Sequence, residues 1–167
     1  MSLPSANPPE PVALDDADRR LLALLQQDCA LTNQALAERA HLSAATCLRR
    51  VRRLVEAGLI ERQVALLNPD RLARATGAGL TAILEVTLDR QDAVALDAFE
   101  ARVAPEPAVQ QCYRVTAGPD FVLVVYVPDM PAYHAFVQRV LTAQVNVRNV
   151  RAFFSVKRSK FAPALPV

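Results

Sequence analysis

One sixteen-residue segment constrains this chain more than any other, Ser43 to Gly58 (SAATCLRRVRRLVEAG). Apolar residues recur in it at steps of three and four, the period of an amphipathic α-helix. The expected inward stripe consists of Cys47, Leu48, Val51, Leu54 and Val55. The outer surface carries four arginines, Arg49, Arg50, Arg52 and Arg53. Because a serine suits the N-cap and a glycine suits the stop, the segment predicts a short helix with a basic face.

A basic face is often only a solvated surface, but the preceding residues favour a DNA-reading helix. The pattern predicts a first helix over 14–28, with Asp15 as N-cap and Asp18 in the acidic first turn. A second helix over 32–40 follows, and a short turn leads directly to Ser43. Two helices joined by a tight turn, the second of them basic, form the order of a helix-turn-helix. Residues 59–67 (LIERQVALL) are strand-like and predict a winged variant.

The charge distribution agrees with contact to DNA. The net charge is only +2, so the chain is not a bulk polycation. The positive charge is concentrated instead on one predicted helix face, as expected of site-specific DNA binding. Arginine presents a planar fork that can take guanine O6 and N7 together, or two phosphate oxygens.

Composition excludes several other classes. With 167 residues, 52% hydrophobic and 22% charged, the chain can form one sizeable core or two small ones. Residues 1–12 carry four prolines and predict a disordered tail rather than a signal peptide. No apolar run reaches membrane-spanning length, so no membrane partner and a cytoplasmic location are expected. The three cysteines predict buried free thiols, and neither a metal site nor a cofactor is expected; these cysteines are Cys29, Cys47 and Cys112.

The second half has a different pattern. We expect a helix-turn-helix domain over 13–62, a linker over 63–79, a second domain over 80–160 and a tail over 161–167. Alternating or continuous apolar runs predict strands over 80–89, 108–116, 121–127 and 147–157, with helices over 93–103 and after Pro131. The order βαββαβ predicts a ferredoxin-like, four-stranded antiparallel sheet with two helices on one face, so the fold class is α+β.

Such a sheet leaves one face uncovered in a single chain. Candidates for that face or its rim are Ile83, Tyr113, Val125 and Phe153. An exposed apolar sheet is normally buried against a partner, so we expect a homodimer formed through the second domains. A symmetric dimer also presents two helix-turn-helix units to a palindromic site in double-stranded DNA.

The chain resembles the Lrp/AsnC family of bacterial and archaeal transcription regulators, also called feast/famine regulators, over roughly residues 14–160. The motifs that carry the resemblance are LDDADRRLL (14–22), NQALAERAHLS (33–43), CLRRVRRLVEAGLI (47–60), LLNPDRL (66–72) and VTAGPDFVLVVYVPDM (115–130). The resemblance implies an N-terminal DNA-binding domain and a C-terminal domain that assembles and senses small molecules. Family effectors are typically amino acids, bound where dimers meet in a tetramer or octamer.

The helix-turn-helix pattern and the family resemblance together give the candidate site residues. The expected DNA-binding set is Asn33, Ser43, Ala45, Thr46, Arg49, Arg50, Arg52 and Arg53. The expected effector-binding set is Thr116, Ala117, Gly118 and Asp120. The effector loop departs from the family pattern, since its glycine is displaced by one place and its first acid is missing. Asp120 is then either an acceptor for a ligand ammonium group or a residue that only caps a turn.

Two other functions compete with regulation. Some proteins that share this two-domain layout decarboxylate a tetrapyrrole, for which His134 and Arg114 would be the candidate residues here. A third interpretation is a stand-alone metabolite-binding module. No nucleophile–base pair or phosphate-binding glycine loop is present in the sequence, and the arginine face favours a DNA-binding regulator over an enzyme.

Overall fold

The computed structural model describes residues 13–77, 79–142 and 146–167, which form two compact units. The first unit comprises the described residues up to Ala65 together with Phe161–Val167. The second unit comprises Leu66–Lys160. The chain therefore leaves the first unit after Ala65 and returns to it at Phe161, and we call Phe161–Val167 the closing segment. The predicted disordered tail of residues 1–12 lies outside the described residues.

The first unit contains the three helices that the sequence predicts. They are α1 (Asp16–Gln27), α2 (Asn33–Ala40) and α3 (Ala44–Glu56). Each begins at a side-chain N-cap, because a carboxylate or hydroxyl oxygen accepts one of the backbone N–H groups that a helix start leaves unpaired. At α1 the cap is reciprocal. Asp15 accepts from the backbone N–H of Asp18 at 2.9 Å, and its own N–H donates to the Asp18 carboxylate at 3.2 Å.

The core of the first unit is small, and α3 buries a narrower stripe than predicted. Cys47 and Leu54 are fully buried and Val51 packs against the core. Leu48 and Val55 are 41% and 48% exposed, so their assignment to the inward stripe was wrong. The physical reason is that, within the described part of the chain, α3 packs mainly against α1 and α2, and this contact covers fewer positions than the full apolar sector of the helix.

The predicted wing strand over 59–67 is also absent from the described residues, since the chain from Glu61 to Leu67 has no regular secondary structure. Val64, Leu66 and Leu67 are all more than half exposed. A strand needs a neighbouring strand to accept and donate its backbone hydrogen bonds, and this segment has none among the described residues. The strand-like sequence therefore gives an irregular connection within one chain.

The second unit has the predicted ferredoxin-like arrangement. It begins with a short helix, α4 (Pro69–Thr76), capped by Asn68 within the expected linker. The remaining elements are β1 (Leu80–Leu88), α5 (Ala93–Val103), β2 (Val109–Arg114), β3 (Phe121–Val127), α6 (Met130–Phe136), a π-helical turn (Val137–Thr142) and β4 (Val147–Phe154). The strands pair antiparallel in the order β2-β3-β1-β4, which is the order that βαββαβ predicts.

Alternation along β1 and β3 decides which side chains enter the core. Alternate residues of both strands are buried, and they pack with Phe99, Phe136 and other helix residues. Val125 is fully buried here, so its assignment to the open face was wrong. It pairs with Ala82, which is also buried, whereas Ile83 pairs with Val124 and Phe153 on the other face. An unbroken apolar run such as FVLVVYV carries no polar positions that could show its inward side.

The opposite face of the sheet is open and apolar, as predicted. Ile83 and Phe153 are 40% and 45% exposed, and Tyr113 is 53% exposed. We call these three residues, with Val122 and Val124 between them, the open face. One polar pair borders it, in which the Arg151 guanidinium lies 3.1 Å from the Glu85 carboxylate.

The three thiols are free, as predicted, but their environments differ. Cys47 is buried, Cys112 is half-buried and Cys29 is exposed, so the expectation that all three are buried was wrong. Burial raises the pKa of the Cys47 thiol above its ordinary value. Among the described residues, none of the helices combines the length and the apolar character that a membrane crossing requires.

Candidate functional site

The first turn of α3 is held by side chains that the sequence assigned to DNA contact. The Ser43 hydroxyl accepts from the backbone N–H of Thr46 at 3.2 Å and donates to the Thr46 hydroxyl at 2.8 Å. The side-chain amide of Asn33, at the start of α2, donates to the carbonyl of Ala44 at 2.9 Å. These contacts fix the N-terminus of α3 against the N-terminus of α2.

The turn between α2 and α3 is tight because one residue adopts the left-handed conformation. His41 has φ 57° and ends α2, and the N–H of Leu42 donates to the carbonyl of Ala37 at 2.9 Å. This conformation at a helix end satisfies carbonyls that would otherwise be unpaired, a role that glycine usually fills. The turn sets the direction in which α3 leaves α2.

Two of the four arginines on α3 are held by acids of α1. The Arg50 guanidinium contacts Asp15 at 2.7 Å and Asp18 at 2.9 Å, and Arg53 contacts the other oxygen of Asp18. Asp18 is fully buried. We call these four residues the aspartate–arginine cluster. Its charge-assisted hydrogen bonds fix the rotation of α3 about its axis relative to α1.

The cluster also shifts the pKa values of its members. The backbone N–H of Asp18 and then the Arg50 guanidinium lower the pKa of Asp15 from 3.8 to about 2. The hydrogen bonds to Asp15 and Asp18 raise the pKa of Arg50 above its ordinary value. Sequence reasoning placed Asp15 and Asp18 in the helix cap but missed their arginine partners. The only indication in the sequence is that two acids lie at the start of α1 and four arginines lie on α3. More than thirty residues separate the acids from the arginines that they contact.

The other two arginines are available to a partner. Arg49 and Arg52 are exposed, and neither forms an ion pair within the described part of the chain. Together with Ala45, Leu48, Arg53 and Glu56 they line a shallow groove along α3. Residues 45, 48, 49 and 52 lie three and four positions apart, so they share one helix face. The outer face of α3 thus offers two free guanidinium groups beside small and apolar side chains.

The predicted effector loop joins β2 to β3, and its carboxylate is already engaged. One oxygen of Asp120 accepts from the backbone N–H of Leu88 at 2.7 Å and from the side-chain amide of Gln91 at 3.3 Å. The N–H of Asp120 donates to the carbonyl of Val86 at 2.9 Å. Asp120 therefore joins the loop to the end of β1, a role the sequence did not reveal because Leu88 is 32 residues away.

Two residues of this loop have a positive φ. Ala117 has φ 61°, in the left-handed region that favours glycine, and Gly118 has φ 132°. Alanine therefore stands in the strained position, and the glycine next to it also adopts a conformation that is unfavourable for other residues. Thr116 precedes these residues in the same bend.

A cavity of about 570 Å³ lies next to the strand end that Asp120 contacts. Its apolar part is formed by residues that include Leu88, Phe99 and Val147, and its polar part by Asp89, Arg90 and Asn146. Asn146 fixes the loop that bears Arg90, because its amide accepts from the Arg90 N–H at 2.8 Å and donates to the Arg90 carbonyl at 3.2 Å. An apolar floor with a few charged groups suits a small amphipathic ligand. No signal in the sequence indicates this cavity.

The two residues considered for tetrapyrrole chemistry have other surroundings. Arg114 contacts Asp97 at 2.6 Å and Glu100 at 2.8 Å, and these acids raise its pKa above the ordinary value. His134 is exposed on α6, and its ring lies 5.8 Å from that of Tyr133. Because its guanidinium is held by two acids, Arg114 is not set up to bind a substrate carboxylate.

Comparisons with known proteins agree with this architecture in both halves. Residues 14–61 match the family described as winged helix-turn-helix DNA-binding, and residues 81–165 match the Lrp/AsnC ligand binding domain. A leucine-responsive regulatory protein of Rhizobium meliloti is 41% identical over 151 residues, covering 90% of this chain and 94% of the relative. The DNA-binding transcriptional activator DecR of Escherichia coli is 34% identical over 154 residues, covering 92% of this chain and 99% of the relative.

The solved structures lead to the same family. A transcriptional regulator of Neisseria meningitidis in complex with L-Met is 34% identical, with a TM-score of 0.79, and the match covers 92% of this chain and 97% of that one. An AsnC family regulator of Agrobacterium tumefaciens is 32% identical with a TM-score of 0.79, over 92% and 97% of the two chains. These relatives are regulators, which is consistent with a role other than catalysis. The chain belongs to the Lrp/AsnC family of DNA-binding transcription regulators.

Proposed function

We propose that this regulator reads DNA mainly through Arg49 and Arg52, while Arg50 and Arg53 position α3. The observation that carries the proposal is the division of the four arginines into two that contact Asp15 and Asp18 and two that are free. The Arg50 guanidinium already donates to two carboxylates and that of Arg53 to one, so each has fewer hydrogen bonds left for a base edge or a phosphate. The free pair lies on the exposed face of α3, beside Ala45.

The remaining predicted contacts fall into a supporting role in this proposal. Ser43, Thr46 and Asn33 hold the N-terminus of α3, the end that a recognition helix directs into the major groove. The Thr46 hydroxyl accepts from Ser43, so its own hydrogen remains available to a DNA phosphate. A DNA-binding regulator acts where the chromosome is accessible, so we propose a cytoplasmic location.

Single-alanine variants at Arg49, Arg50 and Arg52 test the division. We expect Arg49→Ala and Arg52→Ala each to weaken binding to a cognate operator, selected from random duplexes, by about 1–3 kcal/mol without lowering the thermal midpoint. Arg50→Ala should lower the thermal midpoint, because it leaves buried Asp18 with one partner fewer. Arg148→Ala removes an exposed arginine of the second unit and serves as control. Unchanged operator affinity in Arg49→Ala and Arg52→Ala would contradict the assignment.

We also propose that the open face is a homodimer interface. It exposes large apolar side chains on a flat sheet, and a stable interface needs about 800 Å² from each partner. A second copy offers an equal apolar face, so two chains can bury both by a twofold axis. Tetramers or octamers built from these dimers follow from the family resemblance.

Charge placed on the open face tests the dimer. We expect Ile83→Glu and Phe153→Glu each to shift the full chain towards monomer in light scattering at micromolar concentration. Val94→Glu is the matched control, because Val94 is 76% exposed and lies on α5, on the helix side of the sheet. A wild-type chain that is monomeric, or variants that remain dimeric, would contradict this interface.

For regulation we propose an amino-acid effector bound beside the loop Thr116 to Asp120. One relative of known structure is in complex with L-Met, and other relatives are named as leucine-responsive. The Asp120 carboxylate can accept a ligand ammonium group, and the N–H groups of Ala117 and Gly118 can donate to a ligand carboxylate. Pro119 has no N–H to contribute. The adjacent cavity supplies apolar surface for a side chain.

Two substitutions at Asp120 separate sensing from a purely structural role. Asp120→Asn removes the negative charge but keeps an oxygen that can accept from Leu88, whereas Asp120→Ala removes both. With the twenty amino acids as probes in a thermal-shift screen, we expect wild type to be stabilised by at least one of them. Asp120→Asn should retain the wild-type midpoint and lose that response. A response equal to wild type would show that the carboxylate only caps the turn.

A further inference from the structure

An ion pair continues the open face along the sheet. In the strand register Glu85 lies opposite Val122 on one side and opposite Arg151 on the other. The next positions on the same side of the sheet are Ile83 and, opposite it, Phe153. Side chains two residues apart in a strand project from the same side, so the ion pair shares the side of Ile83 and Phe153. A partner that covers the open face therefore also approaches this pair.

The two members of the pair differ in their place in the sheet. Glu85 is on β1, which has a strand on each side, whereas Arg151 is on the edge strand β4. The Glu85 side chain is 30% exposed and that of Arg151 is 64% exposed. The Arg151 guanidinium also lies 5.3 Å from the centre of the Phe153 ring. A long side chain on an edge strand can keep its charged end in water at the rim of an interface. Glu85 has no such route, so a covering partner would remove water from its carboxylate.

A carboxylate that loses its water needs a cation beside it. Burying an unpaired charge costs far more free energy than burying the same charge within an ion pair. The Arg151 guanidinium lies 3.1 Å from the Glu85 carboxylate. Within the described part of the chain, no other basic side chain forms an ion pair with Glu85. Arg151 is therefore the group that can neutralise Glu85 when the open face is covered.

We propose that Arg151 determines which chain the open face accepts, because it neutralises Glu85 in the homodimer interface. The pair carries no net charge, so two identical faces can meet without net repulsion between them. A related chain with the carboxylate but without the arginine would bring an unpaired negative charge into the interface. The preferred partner is thus a second copy of this chain, with both residues present. The proposal rests on the homodimer interface proposed above.

The first test removes the arginine and keeps much of its bulk. R151M retains a long apolar side chain but leaves Glu85 without its cation. For the full chain in analytical ultracentrifugation, we expect R151M to raise the dimer dissociation constant by about tenfold or more. R148M is the matched control, because Arg148 is an exposed arginine of the same strand, 4.0 Å from Asp89. A wild-type dissociation constant in R151M, or an equal rise in R148M, would overturn the proposal.

A second substitution separates charge from packing. E85Q/R151M also removes the carboxylate that the arginine neutralises and replaces it with an amide of similar shape. We expect the double variant to regain most of the wild-type affinity, because no unpaired charge remains in the interface. If the loss in R151M came instead from the missing contact with Phe153, the double variant would dimerise as weakly as R151M. That result would overturn the role of charge.

Competition between chains tests the choice of partner. Unlabelled wild type and unlabelled R151M each compete for a fluorescently labelled wild-type chain, and we expect wild type to compete at the lower concentration. Equal competition would overturn the selection. A wild-type chain that is monomeric would overturn the homodimer interface itself. If Ile83→Glu dissociates the dimer while R151M does not, the interface stands and the role of the pair fails, so the two failures are distinguishable.

Discussion

The two units of this chain fix their architecture by different forces. Fourteen buried hydrophobic residues form the core of the second unit among the residues described, and the sheet supplies its frame. The corresponding cluster of the first unit contains five, and a fully buried aspartate lies beside it. A small unit buries a smaller fraction of its surface than a large one, so packing contributes less to its stability. In the first unit the aspartate–arginine cluster adds contacts that hold α3, the helix that we propose contacts DNA.

This difference has a functional side. A helix positioned by charge can be reoriented by acid, by charge removal or by a competing anion, whereas a packed sheet responds chiefly to lost volume. The residues that orient α3 are also neighbours of Arg49 and Arg52, the residues that we propose contact DNA. Stability and reading are therefore coupled in the first unit, and the following predictions test the contrast.

The largest effect should come from a cavity in the second unit. Phe121 is fully buried, and its ring centroid lies 4.5 Å from that of Phe99. Phe121→Ala should lower the free energy of unfolding of this unit by about 4 kcal/mol. Calorimetry should show a lower transition for the second unit and little change in the other transition. Val94→Ala, at an exposed position, is the control. An equal shift of both transitions would contradict the expectation that the loss is confined to the second unit.

Removal of the buried charge in the first unit should have the next largest effect. Asp18→Asn keeps the shape of the side chain but leaves Arg50 and Arg53 without their shared carboxylate. We expect the free energy of unfolding to fall by about 3 kcal/mol. This value is at the lower end of the range for a broken buried ion pair, because Arg53 is half exposed. Chemical denaturation followed by circular dichroism measures it. Asp16→Asn, an exposed acid in the same turn, should change stability by much less, and equal losses would contradict the special role of Asp18.

Acid should destabilise the first unit through Asp15. The pKa of this carboxyl is lowered from 3.8 to about 2 on folding, so its contribution is fully present above 3.8 and is lost as the pH falls to about 2. We expect the thermal midpoint of this unit to fall across that window. Asp15→Asn keeps a good N-cap and should show a weaker pH dependence there. If the thermal midpoints of wild type and variant fell equally with pH, Asp15 would not be the cause of the acid destabilisation.

The smallest effect concerns the effector loop. Ala117 adopts a left-handed conformation that costs an alanine about 1–2 kcal/mol, and part of that cost is offset because glycine is more flexible when unfolded. Ala117→Gly should therefore raise the stability of the second unit by about 0.5–1 kcal/mol. Ala98→Gly, inside helix α5, should lower stability by a similar amount. A destabilised Ala117→Gly variant would show that the strain is not released locally.

Sequence reasoning succeeded where a feature is local. Helix caps at Asp15 and Ser43 and the periodicity of the strands predicted the elements and their order. It failed where the answer depends on a distant partner. Strand 59–67 lacks a partner strand among the described residues, and the inward side of Val125 is decided by its pairing with Ala82.

The candidate site follows the same rule. All four arginines of α3 look alike in sequence, since each is a basic residue on an exposed helix. Only the contacts of α1 distinguish the two arginines that hold the helix from the two that remain free. Likewise, Asp120 matches a motif in sequence, but its bond to the N–H of Leu88 is visible only in the structure.

The return of the chain to its first unit affects the timing of its synthesis. A ribosome makes residues 14–60 early, and these can fold while the rest is still being made. The closing segment is translated only after every strand of the second unit, so the DNA-binding unit is completed last. A product that stops before Phe161 would contain all three helices. Its Gln26 amide would lack the backbone of Leu165, with which it forms two hydrogen bonds in the full chain. The first unit can therefore be complete only in a chain whose second unit has also been translated.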